Sequence, residues 1–232
     1  MNIRFIALAA LTALLSWGGS ASFGADARSD YDDGATAEGN EDFPLAVDKY
    51  KEALALNPAY LEPMVGLAES FFQMEEYDEA STYAVMARTY DSNNPYLKVL
   101  EGRIRIGQGN VPAARALFKE VLLAQPNNVE ARLGMAEAEI AEGRTLTALD
   151  QYAQTFKLAP ESTRAILSLA ALYDESGDFT RAGGCYDTAL KSHSSDAQVQ
   201  LAAASWYAAR GNFSAAEKHA QLALSLKPGL AW

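Results

Sequence analysis

A step of 34 residues organises this chain. From Ala46 it lands on Ala80, Ala114, Ala148, Ala182 and Ala216. Twelve residues after each of these come Pro58, Ser92, Pro126, Pro160, Ser194 and Pro228, so half of the eight prolines share one phase. Five residues before the alanine stand Gly109, Gly143, Gly177 and Gly211 in the last four copies, with Glu41 and Glu75 in the first two. A small residue recurs twelve before it: Gly34, Ala68, Gly102, Ala136, Ala170 and Ala204. Four after it the column reads Tyr50, Ala84, Phe118, Tyr152, Tyr186 and Ala220. A fixed period without insertions means one supersecondary unit written six times. Such a unit cannot bury its apolar face alone and must stack on its neighbours.

The columns have physical reasons. Small side chains at the alanine and twelve before it let two helices approach closely. The aromatic between them fills the space this leaves beside the next repeat. Glycine ends the first helix of each pair, where a left-handed backbone is cheap, and proline stops the second. Alanine, 44 of 232 residues, is the strongest helix former, so twelve antiparallel helices are expected.

This pattern resembles the tetratricopeptide repeat (TPR), with its small-x-aromatic first helix, glycine turn, alanine-centred second helix and closing proline. The resemblance covers roughly residues 27–230. It implies an all-α fold, a right-handed α-solenoid of about six helix-turn-helix units starting near 27, 61, 95, 129, 163 and 197. Residues 231–232 are then a tail or an aborted seventh unit. The first unit is the weakest on paper, with Asp33, Gly34, Ala37 and Gly39 in its first helix. At the other end Leu222, Leu226, Leu230 and Trp232 have no further helix to cover them. Three readings are open there: a partner or second copy as cap (a homodimer through the last helix), a longer array, or a bare end.

The N-terminus reads as an address. Arg4 precedes the apolar run Phe5–Leu15, and small residues follow through Gly18, Gly19, Ala21 and Gly24. That order is a secretory signal peptide over residues 1–25, too short to span a bilayer comfortably. Cleavage removes Arg4 and no acid, so the rest becomes more acidic than the net charge of −11 of the whole chain. The expected location is periplasmic or secreted, with no membrane span in the mature chain. The acidic balance also argues against nucleic acid as partner, since that chemistry needs clustered Lys and Arg.

Catalysis has no foothold here. One cysteine, Cys185, and two distant histidines, His193 and His219, offer neither a disulfide framework nor a metal site, and no phosphate loop or nucleophile motif is present. No enzyme activity, cofactor or metal is expected. Cys185 reads as a partly buried filler beside Gly183 and Gly184, which loosen that helix or admit a close neighbour.

Charge stands in core columns near the middle of the chain. Glu101 occupies the slot of Leu67, Met135 and Leu169, while Arg105 and Glu139 occupy the slot of Phe71, Tyr173 and Tyr207. Two readings compete: a semi-buried acid-base-acid network of Glu101, Arg105 and Glu139, or long side chains that snorkel to water.

The resemblance also implies that first helices line a concave groove in which partners bind. Mapped onto this sequence, the first two repeats give Arg28, Tyr31, Ala35, Glu38, Glu62, Val65, Glu69 and Phe72. Tyr31 and Ala35 stand where chaperone-binding members need Lys and Asn to clamp a C-terminal carboxylate, so that role is excluded. The predicted partner-binding strip is Glu69, Phe72, Tyr96, Val99, Arg103, Ile106, Glu137, Ile140 and Arg164. Aromatic anchors with a few fixed charges suit a protein or peptide partner. For Val65, Val99, Leu133 and Leu167, which share one column, plain inter-helix packing is the competing reading. The resulting expectation is a non-catalytic scaffold of the bacterial cell envelope, in the manner of assembly factors for envelope or pilus complexes. The alternatives are a transport accessory holding a small hydrophobic ligand in the groove, or the front of a longer array.

Overall fold

The computed structural model describes residues 20–228. Most of the predicted leader therefore lies outside the described residues, as do Leu230 and Trp232. Twelve α-helices and no strand occur among the described residues, in six helix-turn-helix pairs. The first helices are α1 (Ser20–Gly39), α3 (Leu61–Gln73), α5 (Pro95–Gly107), α7 (Val129–Ala141), α9 (Thr163–Glu175) and α11 (Ala197–Ala209). The second helices are α2 (Phe43–Leu56), α4 (Tyr77–Tyr90), α6 (Val111–Ala124), α8 (Thr145–Leu158), α10 (Phe179–Ser192) and α12 (Phe213–Leu226). The fold class is all-α, an α-solenoid of six such repeats. Its contacts gather into two compact bodies, one ending at Ile104 and one starting at Arg105.

The repeat columns are the contacts that build each body. All six phase-defining alanines are buried, from Ala46 at 0% exposure to Ala216 at 9%. In the N-terminal body Ala46, Tyr50, Leu67, Ala68, Phe71 and Ala80 form one core. In the C-terminal body Leu133, Ala136, Ala148, Tyr152 and Leu169 do the same. The rings pack flat on glycine backbone. A Cβ on Gly34 or Gly66 would lie 2.6 or 2.4 Å from the Tyr50 ring, and one on Gly134 2.5 Å from the Phe118 ring.

The turns repeat as faithfully as the cores. After α5, Gly109 N–H donates to the Ile106 carbonyl and Asn110 N–H to the Arg105 carbonyl, closing the helix in a left-handed turn. Asn110 then caps α6 by accepting from the Ala113 N–H, and Asp42, Asp178 and Asn212 cap α2, α10 and α12 in the same way. The residue before each cap has positive φ in all six repeats, near 61° at Glu41 and Glu75 and 72–79° at the four glycines.

One difference from expectation concerns the first repeat. Its first helix is continuous over Ser20–Gly39, the longest of the set. Gly34 stands within it because that position must be side-chain-free for Tyr50, and Ala27 and Ala37 are buried. At the other end of the described chain, Leu222 and Leu226 are about 40% exposed.

Candidate functional site

Several predicted strip residues of the N-terminal body are accessible on first helices. Tyr96 is half-exposed, and Glu69, Phe72 and Arg103 are partly exposed. Tyr96 donates its hydroxyl to Glu69, and the Arg103 guanidinium lies over the Phe72 ring at 4.8 Å. Those contacts bind α5 to α3 and hold four side chains of the strip together. Val99 is different. It is 6% exposed and belongs to the packing between helices, so it is removed from the partner-facing set. Leu133, in the same column, is fully buried.

In the C-terminal body Ile140 is 40% exposed and Ile106 is half-buried. Arg164 reaches from α9 to two carboxylates of α7, Glu130 at 2.5 Å and Glu137. Asp174 is likewise held by Arg210, which itself packs over the Trp206 and Phe179 rings. These first-helix charges are therefore neutralised within the fold.

The charged columns contain two buried carboxylates. Glu101 and Glu139 are 4% and 6% exposed, so neither snorkels to water. Glu101 is met by the Arg88 guanidinium of α4 at 3.0 Å. Glu139 is held by Arg144 and by Arg115 of α6 at 2.6 Å, which keep its carboxyl below the ordinary range. Arg105 donates to Gln108. The cations that hold these acids, Arg88, Arg115 and Arg144, were missed from the sequence. Each carries a signal there. Arg88 stands in a column of Leu54, Leu122, Phe156 and Leu190, and Arg144 replaces the Asp, Glu or Asn found at that slot in every other repeat.

Beside the strip, α1 and α3 leave a cavity of about 250 Å³. Tyr31, Ala35 and Glu38 line it from α1, and Leu61, Glu62, Val65, Gly66 and Glu69 from α3, with Tyr50 of α2 as its floor. Tyr50 donates to Glu38 at 2.5 Å, and burial together with that bond raises its pKa. Burial, with the nearby Glu38 charge adding to it, pushes the Glu69 carboxyl up to about 7. The Tyr31 ring packs against Tyr50 and Tyr60 at 5.9 and 5.5 Å. Six of the lining residues stand at groove positions read from the sequence.

The remaining chemistry-bearing side chains are structural. Cys185 is half-buried, and its thiol is pushed up by burial. Gly183 leaves room for Trp206, whose ring would lie 3.1 Å from a Cβ there. His193 caps α10, and the half-buried His219 stacks on Tyr207 and hydrogen-bonds Gln200. Among the described residues no group of His, Cys, Asp and Glu could hold a metal ion, and no helix is long and apolar enough to cross a membrane.

Comparison with known proteins places this geometry. The Tetratricopeptide repeat family profile matches residues 37–104, 105–145 and 139–206. A tetratricopeptide repeat protein from Parabacteroides merdae is 16% identical at a TM-score of 0.72, over 95% of this chain and 84% of that one. The pilF structure from Pseudomonas aeruginosa is 16% identical, TM-score 0.59, covering 90% and 95%. PilW, a widely conserved type IV pilus biogenesis factor, is 17% identical, TM-score 0.62, covering 88% and 94%. The protein CTR9 homolog of Arabidopsis thaliana is 28% identical over 118 residues, half of this chain; the match spans 11% of that protein's length.

Proposed function

The chain belongs to the tetratricopeptide repeat family, and from that premise we propose that it is a non-catalytic scaffold, exported to the cell envelope, that holds a partner protein or peptide against its first helices. TPR proteins mediate protein–protein interaction, and no side-chain constellation described above suits catalysis. The observation that carries the reading is the first-helix strip of Phe72, Tyr96 and Arg103, an aromatic and cationic set of the kind that anchors interfaces. The fold shared with pilF and PilW supports a role in assembling an envelope or pilus complex, and the leader-like residues 1–25 support export.

The α1–α3 cavity, about 250 Å³, is below the size of sites for whole small molecules, about 300 to 1,000 Å³, while another beside α11 and α12, about 320 Å³, stands at the lower edge of that range. The test is a cross-linking pull-down from the protein's own cells with wild type and the triple variant Phe72→Ala, Tyr96→Ala, Ile106→Ala. The variant is expected to lose the wild-type cross-linked partners. An unchanged partner set sinks the proposal, and a co-purifying small molecule seen by native mass spectrometry replaces it.

A further inference from the structure

The N-terminal cavity differs from the rest of the first-helix surface in how its charge is met. In the C-terminal body Arg164 is matched by Glu130 and Glu137, and Asp174 by Arg210. Buried Glu101 and Glu139 have arginines too. The cavity's three carboxylates, Glu38, Glu62 and Glu69, are in no ion pair among the described residues. Their hydrogen-bond donors are phenols, Tyr50 for Glu38 and Tyr96 for Glu69. The nearby cations are engaged elsewhere and do not line the cavity: Arg28 pairs with Asp32, and Arg103 covers Phe72.

A concave site lined by the carboxylates Glu38 and Glu62, a third carboxyl, Glu69, that a cation beside it would hold ionised, and the Tyr31 ring attracts one chemical class. An organic cation gains from the carboxylates, whose field is strengthened away from bulk water, and from the partly exposed Tyr31 ring. A metal ion is the wrong guest, since these groups do not form a metal-holding cluster. The volume, about 250 Å³, is that of a subsite for a side chain, below the range for a whole small molecule. We propose that this pocket takes the ammonium or guanidinium side chain of a lysine or arginine presented by the partner peptide, with Glu38, Glu62 and Glu69 neutralising the charge and the Tyr31 ring beside it. The assignment rests on the scaffold reading above and names the chemistry of the partner at one point of contact.

The test selects peptides from a random dodecapeptide phage library on the full chain and titrates the winners by calorimetry. Enriched peptides are expected to share a lysine or arginine. The double variant E38Q/E69Q, which keeps both hydrogen-bond acceptors, is expected to bind them about tenfold more weakly. E62Q, at an exposed rim position, is expected to weaken binding by a few-fold, while E79Q on α4 matches wild type. Replacing the basic residue of the peptide by norleucine is expected to abolish the difference between wild type and E38Q/E69Q. Enriched peptides without a basic residue, or equal affinity for E38Q/E69Q and E62Q, overturn the pocket assignment and leave the scaffold reading standing. Enrichment of no peptide at all overturns both. Thermal melts of each variant show whether a loss of binding is a loss of fold.

Discussion

Gly66 illustrates how much of this protein is decided at single positions. Nothing about a glycine inside a helix is favourable by itself, since alanine is better there by about 1 kcal/mol. The Tyr50 ring lies where the Cβ would be, 2.4 Å away, and Tyr50 is itself 1% exposed and hydrogen-bonded to Glu38. The ring has nowhere to move, and it also forms the floor of the pocket. Gly66→Ala is therefore expected to destabilise the protein by about 1–3 kcal/mol despite its helix propensity, measured as a lower midpoint in urea. An unchanged or higher midpoint would show the ring to be free to shift.

The same scale marks what was legible in the sequence. Alanine and aromatic columns identified the buried contacts because core packing repeats with the period. Glu101 and Glu139 stood out by replacing apolar residues of sister repeats. The cations that hold them, Arg88 and Arg115, come from second helices, where each replaces an apolar residue found in sister repeats such as Leu54 or Val47. A charge buried in one column requires compensation in another. That rule can be read from the sequence only when all departures are compared together. The strip was legible as far as the helix face, because the column places each side chain. Whether Val99 is exposed depends on neighbouring side chains, and the period does not encode that.

At the scale of elements, the turn between paired helices is the most regular feature. Every pair uses one left-handed residue followed by the first residue of the next helix's cap. Four repeats place glycine there, while Glu75 holds the same conformation at φ 61° with a side chain. A left-handed L-residue costs about 1–2 kcal/mol, and glycine gives back roughly 0.5–1 through its freer unfolded chain. Glu75→Gly is thus expected to stabilise the protein by roughly 0.5–1 kcal/mol, seen as a melting temperature higher by a few degrees. A lower melting temperature would mean that Glu75 makes contacts worth more than its backbone strain. The first helix of the array shows the converse limit of sequence reasoning. Its glycine looked like a flaw because the ring that requires it, Tyr50, lies on another element.

At the scale of the whole molecule, repetition explains both the fold and the division of labour within it. Within each body the repeats carry their own copies of the core columns, so the first-helix positions are free to vary in charge and size. The chain uses that freedom unevenly. Its C-terminal body ties Arg164 and Asp174 into internal pairs, while its N-terminal body leaves carboxylates and tyrosines around an open pocket. The partner surface proposed above is accordingly the face of α1, α3 and the start of α5. The direct test places a photo-cross-linking amino acid at Tyr96, on that face, and separately at the exposed second-helix position Leu146, in the protein's own cells. A discrete partner adduct from position 96 and none from position 146 is the predicted result. Adducts from position 146 alone, or the same adducts from both, would contradict it.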